Sequence, residues 1–231
     1  MRNRSWRQVV WQRLRWGSEA QIRQRLLGTR SDLTEPEINC IRECLDEFEE
    51  PTYVEVGVLF GGTLVRVLKH LSDNKSLFHV MGIDLFDDLA LANEGEATQT
   101  HDKYNKWRTL NVALRDDLDI RLRQMGFSNF ELIKGSSDEV IRELDLTGDV
   151  FFIDGNHTYE QTSLDAQACL TKARAGSYLI FHNATNTQQP DKQYVERDGG
   201  PRKACQDLVD AKQVEYVGLF DRAAVVRVVG V

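Results

Sequence analysis

The sequence predicts an α/β protein built on a doubly wound, mostly parallel seven-stranded sheet, with a C-terminal antiparallel hairpin and an N-terminal helical extension. From residue 53 onward, short β-branched and aromatic stretches alternate with stretches of helical spacing, the pattern of strands returning through helices. Residues 149–154 are nearly all apolar, as a central strand covered on both faces must be. Residues 214–220 and 223–229 are strand-like and separated only by Asp221 and Arg222, which reads as a hairpin.

Composition leaves room for this fold and an appendage. The chain has 231 residues, 41% of them hydrophobic, enough for one large α/β core. No run approaches the ~18 uninterrupted apolar residues of a membrane span, and the N-terminus lacks the apolar core of a secretory signal, so a cytoplasmic protein is expected. Cys40, Cys44, Cys169 and Cys205 form no C-x-x-C and are expected as buried small hydrophobes in a reducing compartment. Charge is uneven: residues 1–30 carry eight arginines and one acid, Glu19, although the whole chain has a net charge of -7. The acidic body argues against nucleic acid as the main partner.

Residues 1–50 form the predicted extension, first basic and then acidic. Trp6, Val9, Val10, Trp11, Leu14 and Trp16 suggest a helix with a break at Gly17. A basic helix with tryptophans can make peripheral contact with an anionic membrane; packing on the body or on a second subunit is favoured here, and a homo-oligomer is expected. A second helix starts after Thr34 as N-cap, with Glu35, Pro36 and Glu37 in its first turn and Ile38, Ile41, Leu45 and Phe48 as its apolar face.

The main domain is expected over residues 51–231. Its first strand (Tyr53, Val54, Val56) runs into Gly57, Gly61 and Gly62, and a helix opens at about residues 62–63. The spacing G-x-x-x-G-G is neither the dinucleotide nor the triphosphate loop, but it removes side chains where a ligand must approach the backbone. A second strand, 78–84, ends in Asp84. Residues 87–126 are polar apart from a helix bearing Trp107, Leu110, Leu114, Leu118 and Leu122, and with 184–201 they are expected to cover the substrate. The third strand, 130–134, leads to Ser136, Ser137 and Asp138, a helix-start signature. The fourth, 149–154, precedes a helix from about 159 to 174 that stops at Gly176. The fifth strand, 178–183, and a helix around 202–212 complete the alternation before the hairpin.

Polar residues cluster just past these strand ends, the edge at which parallel sheets bind ligands. Asp84 can accept both hydroxyls of a ribose, or cap a turn. The densest group follows the fourth strand: Asp154 leaves it, His157 lies three residues on, and His182 and Asn183 end the neighbouring strand. A carboxylate there can bind a hard cation, and an imidazole beside it can accept a proton near neutral pH. The structural alternative is one capping histidine and one satisfied core histidine. Two histidines beside one Asp favour function; His70, His79 and His101 lack such company.

Residues 152–160, F-I-D-G-N-H-T-Y-E, followed by Asp165, Gly176 and His182, resemble a class I S-adenosylmethionine-dependent methyltransferase of the small-molecule O-methyltransferase group. The E-V-G-x-x-x-G-G of residues 55–62 and the G-I-D of 82–84 fit the same resemblance, which covers roughly residues 50–230. It implies a Rossmann-like fold and S-adenosyl-L-methionine as cofactor. Glu55, Gly57 and Gly61, with Gly62, would line its methionine part, Asp84 its ribose, and Ser136, Ser137 and Asp138 its adenine, with Asp154 bordering the cofactor. It further implies Mg2+ or another divalent cation on Asp154, His182 and Asn183, His157 and Asp154 as catalytic residues, and a hydroxylated small-molecule acceptor such as a sugar or glycoside. The family's H-D is His182-Asn183 here, which removes one negative charge and leaves Asp154 as the sole carboxylate of that set. Two other readings stand beside this one: a non-catalytic binding or assembly protein that keeps the fold, and an Fe(II)-dependent hydroxylase-like enzyme holding iron with two His and one Asp.

Overall fold

The computed structural model describes residues 31, 33–86, 114–185 and 199–230. The expected Arg/Trp-rich helix and the greater part of both expected covering segments lie outside these residues. Among the described residues, no helix is long and apolar enough to cross a membrane, and all four cysteines are free and buried.

Helix α1 (Glu35–Asp46) begins after Thr34, as the capping residues imply, and the Glu37 carboxylate accepts the Thr34 N–H at 2.7 Å. Strand β1 (Thr52–Val56) then enters the sheet and helix α2 (Gly62–Asn74) leaves the glycine turn. There follow β2 (His79–Asp84), α3 (Leu114–Gln124), β3 (Phe130–Lys134), α4 (Ser137–Glu143), β4 (Gly148–Ile153), α5 (Tyr159–Lys172) and β5 (Ala173–Phe181). Helix α6 (Gly199–Asp210) and the strands β6 (Val214–Phe220) and β7 (Ala223–Val228) close the chain.

One seven-stranded sheet results, in the order β3-β2-β1-β4-β5-β7-β6. The first five strands are mutually parallel, and β7 runs antiparallel to both β5 and β6. Period-two alternation in the central strands divides the core. Tyr53, Val150, Phe152 and Ile180 pack on one face with Ile38 and Ile41 of α1, Leu64 and Leu68 of α2, and Leu118 and Leu122 of α3. Val54, Val56, Phe151, Ile153 and Leu179 pack on the other with Ile141, Ala166, Cys169 and Leu208 of α4, α5 and α6. All six residues of β4 are buried, Asp149 among them, as the apolar run of residues 150–153 requires of its neighbours.

One boundary differs from the sequence expectation. The chain leaves α5 at Lys172 and joins the sheet at once, with Ala173 opposite Gly148, rather than waiting until residue 178. Side chains hold this irregular start: Ser177 Oγ accepts the Arg174 N–H and donates to the Gly148 carbonyl, while Arg174 reaches the Asp149 carboxylate. Gly176 supplies the positive φ of 92° that the bulged segment needs.

Chain order reverses between β1 and β4, so a crevice opens outside their carboxyl ends. The ends of β1 to β5 share this edge. Because β7 is antiparallel to β5, the turn before it, at Asp221 and Arg222, lies there too.

Candidate active site

The glycine turn rests on the backbone that follows β4. Gly57 has φ +86°, and a Cβ there would stand 2.2 Å from the Asp154 carbonyl oxygen, so no larger residue fits without displacing Asp154. Gly61, with φ +78°, is the N-cap of α2 and faces the Leu118 side chain; Gly62 opens the helix. The two loops therefore fit each other only because residue 57 has no side chain.

Glu55 points into this crevice from β1, with 1% of its surface exposed, and its carboxylate accepts the Tyr53 hydroxyl at 3.0 Å. Burial pushes its carboxyl well above the ordinary value; the Tyr53 bond opposes this, and nearby Asp154 and Asp84 add to it. A buried acid so placed is relieved by a cationic ligand. Asp84, at the end of β2, accepts the Leu59 N–H at 2.8 Å through Oδ2 and the Phe86 N–H at 2.6 Å through Oδ1. It thus ties the glycine turn to its own turn.

Past β3, Ser136 donates to Asp138 at 2.9 Å, and Ser137 donates to the fully buried Asp165 of α5 at 2.6 Å. Burial pushes the Asp165 carboxyl up to about 6, against the bonds from Ser137 and Gln161. Ser136 is therefore joined to Asp138, and Ser137 to α5.

Asp154 stands between two imidazoles. Its Oδ1 is 3.1 Å from His157 Nε2 and 2.6 Å from His182 Nδ1. Burial alone would raise the Asp154 carboxyl, but the two histidines outweigh it and hold it well below the usual range. His182 is itself buried, and its other nitrogen, Nε2, lies 3.5 Å from Glu37 Oε1 of α1. Burial alone would lower its pKa; Asp154 and Glu37 instead push it up to about 9, so His182 is an imidazolium at neutral pH. His157 is half-buried at the mouth of this group, and its Nδ1 is 3.3 Å from Asn183 Nδ2.

Glu37 and Arg222 complete the group and were not foreseen. Glu37 is fully buried and receives Arg222 Nε at 3.0 Å and Nη2 at 3.1 Å, while Arg222 Nη1 reaches Asn183 Oδ1 at 3.2 Å. Burial would raise the Glu37 carboxyl, but His182, the Thr34 N–H and Arg222 hold it at about 2. The hairpin turn was legible in the sequence, and an antiparallel partner of the fifth strand must begin at the carboxyl edge; that was the available signal for Arg222. Glu37 carried only a capping signature.

The donor chemistry here bears on the divalent cation. Mg2+ takes mainly oxygen ligands in near-octahedral geometry. Asp154 Oδ1 already meets two imidazoles, and Asn183 Oδ1 faces a guanidinium, so Asp154, His182 and Asn183 do not fit Mg2+. Asp154, His157 and His182 each bring one potential ligand atom within 4.8 Å of the others, a nitrogen-rich set that could take a transition ion only once His182 has given up its proton.

Comparison with known proteins bears on the fold and the family. No curated protein matches the chain significantly in sequence. Among solved structures, cofactor-bound Rv0187 from MTB is similar over 100% of both chains, with a TM-score of 0.62 at 12% identity. The O-methyltransferase NovP is similar over 84% of this chain and 80% of its own, with a TM-score of 0.57 and 18% identity. An O-methyltransferase from Bacillus cereus in complex with SAH aligns over 91% and 88%, with a TM-score of 0.55 and 13% identity. At these identities the likeness shows the fold. The family described as "Methyltransferase domain" matches residues 54–184, the stretch that runs from β1 through the glycine turn to His182 and Asn183. With more than half of the chain inside that match, and with this sheet order around it, the protein belongs to the methyltransferase domain family and has the S-adenosylmethionine-dependent methyltransferase fold.

Proposed function

We propose that the protein transfers the methyl group of S-adenosylmethionine to a hydroxyl oxygen of a small molecule, with sugars and glycosides the first acceptor class to test. The observation that carries this reading is the Asp154–His157 pair, 3.1 Å from Oδ1 to Nε2, at the strand end beside the glycine turn. Further support comes from the F-I-D-G-x-H-x-Y-E text of residues 152–160 and from solved structures of this fold whose names include O-methyltransferase.

S-adenosylmethionine, when bound, supplies a methyl group already activated by its sulfonium. The chain has to hold it, orient an acceptor and take one proton. In this reading Gly57, Gly61, Gly62 and the buried Glu55 hold the methionine end. Asp84 takes the ribose, and Ser136, Ser137 and Asp138 flank the adenine. His157 accepts the proton that the acceptor hydroxyl gives up, and Asp154 stabilises the resulting imidazolium. This chemistry needs no Mg2+. The basic segment 1–30 against an acidic remainder supports a homo-oligomer, which light scattering at low and high salt tests.

Calorimetric titration with S-adenosylhomocysteine, with and without Mg2+, is the first test, followed by methyl transfer to hydroxylated acceptors in the presence of a chelator. Micromolar binding and chelator-resistant turnover are expected. A well-folded sample that binds no S-adenosylhomocysteine overturns the reading and points to a non-catalytic protein. The Asp154, His157 and His182 set could take Fe(II) once His182 is deprotonated; air-sensitive activity that needs a reductant and consumes no S-adenosylmethionine would favour that second reading.

A further inference from the structure

A chain of contacts runs from the N-terminal helix through the hairpin turn to the half-buried histidine. Glu37 Oε1 accepts both the backbone N–H and Nε–H of Arg222, at 3.2 and 3.0 Å, and Oε2 accepts Nη2–H at 3.1 Å. Glu37 is itself fixed, fully buried and bonded to the Thr34 N–H at the start of α1. The Arg222 carbonyl accepts the Ala184 N–H at 2.9 Å, which ties the turn to the residue after Asn183. Asn183 holds a left-handed φ of 55°, a conformation that asparagine tolerates better than most non-glycine residues.

Donor and acceptor identities along this chain leave one arrangement. A guanidinium can only donate, so the Asn183 atom 3.2 Å from Arg222 Nη1 must be its carbonyl oxygen. The Asn183 amide nitrogen then faces His157 Nδ1 at 3.3 Å, and because that nitrogen can only donate, Nδ1 must carry the lone pair. The proton of a neutral His157 is therefore on Nε2, 3.1 Å from the Asp154 carboxylate. The opposite tautomer would set an N–H against the Asn183 amide and a lone pair against a carboxylate, two repulsive contacts at once.

We propose that Glu37 and Arg222 are positioning residues: by holding the Asn183 amide in one orientation, they fix His157 as the Nε2–H tautomer and leave Nδ1 as the basic nitrogen. The proposal rests on the methyl-transfer reading above for its catalytic consequence. The acceptor hydroxyl would displace the long Asn183 contact; its O–H bond breaks, an Nδ1–H bond forms, and the imidazolium so produced keeps its Nε2–H on Asp154. The assignment also accounts for Asn at a position where the resembling family has Asp. An amide can bridge an arginine and an imidazole lone pair, whereas a carboxylate at 183 could only accept and would draw the His157 proton to Nδ1.

The test is a long-range 1H–15N spectrum of the full-length protein with 15N-labelled histidine, at a pH where His157 is neutral, with its signals identified by their loss in His157→Gln. The wild type should show Nε2 protonated and Nδ1 bare. Asn183→Asp should move His157 to the Nδ1–H form. Arg222→Gln should give a mixture, with Arg222→Lys nearer the wild type because it keeps a donor-only cation. With an active acceptor in hand, Asn183→Asp and Arg222→Gln should lower kcat roughly tenfold or more and leave S-adenosylhomocysteine affinity unchanged. An Nδ1–H tautomer in the wild type overturns the proposal, as does a wild-type tautomer in both Asn183→Asp and Arg222→Gln. The tautomer is read on the free protein, so failure to find methyl transfer would count against the function and not against this assignment.

Discussion

The His182 Nδ1 lies 2.6 Å from Asp154 Oδ1 at the end of two neighbouring parallel strands, and this contact joins the carboxyl edge of the sheet to the protein's stability. Burial alone would lower the His182 pKa; Asp154 and Glu37 raise it instead from 6.5 to about 9. A group raised on folding contributes stability that is complete below its unfolded value and lost as pH rises through its folded value. Stability should therefore hold to about pH 6.5 and fall as pH rises through about 9, by roughly 3 kcal/mol. Urea unfolding between pH 6 and 10 measures this. His182→Gln should flatten the alkaline fall, and a wild-type curve already flat across that range would remove the ion pair from the account.

Glu55 predicts a proton count. Burial and its acidic neighbours hold the carboxyl well above its ordinary value, which favours the protonated form in the free protein. A cationic ligand group beside it favours the ionised form, and binding should then release a proton. Calorimetric titration of S-adenosylhomocysteine in two buffers of different ionisation enthalpy reads the release directly. Glu55→Gln should abolish the buffer dependence; identical enthalpies for the wild type in both buffers would place the ligand's cationic group elsewhere.

These consequences were unevenly visible in the sequence. Apolar runs located β3 and β4 to within one residue, and Asp154, His157 and His182 could be grouped because they end adjacent strands. The start of β5 could not be read, since Ala173, Arg174, Ala175 and Gly176 have no strand character and are held by Asp149 and by the Ser177 hydroxyl. Glu37 and Arg222 each had a sufficient local explanation, a helix cap and a hairpin turn. Their meeting depends on the antiparallel register that sets Phe181 opposite Ala224, and on α1 packing over that end of the sheet. Local patterns report local demands, so residues serving two demands are read for the nearer one.

The two left-handed glycines of the turn should respond differently to substitution. At Gly57 an added Cβ would meet the Asp154 backbone at 2.2 Å, whereas at Gly61 it would meet the end of the Leu118 side chain at 2.7 Å. Backbone cannot retreat as a leucine can. Gly57→Ala should cost roughly 2–4 kcal/mol and most of the cofactor affinity, and Gly61→Ala roughly 1–2 kcal/mol, chiefly through its positive φ. Unfolding midpoints and S-adenosylhomocysteine titrations of the two variants give the comparison. Equal losses would mean that the strain of positive φ, and not contact with Asp154, decides the cost at Gly57.

Gly200 offers a way to move His157 without touching its chemistry. It sits in the first turn of α6, and a Cβ there would lie 2.2 Å from the His157 carbonyl and 2.7 Å from the Tyr159 nitrogen. Both contacts are backbone, so Gly200→Ala must push the loop between β4 and α5 or the start of α6. Asp84 and Glu55 belong to other strands, so cofactor affinity should be largely retained. With His157 as the proposed base, turnover should fall by one to two orders of magnitude for a displacement of its nitrogen by roughly an ångström. Single-turnover rates beside S-adenosylhomocysteine affinity separate the two effects. Loss of affinity with the chemical rate intact would show that α6 supports the cofactor pocket instead of the histidine loop.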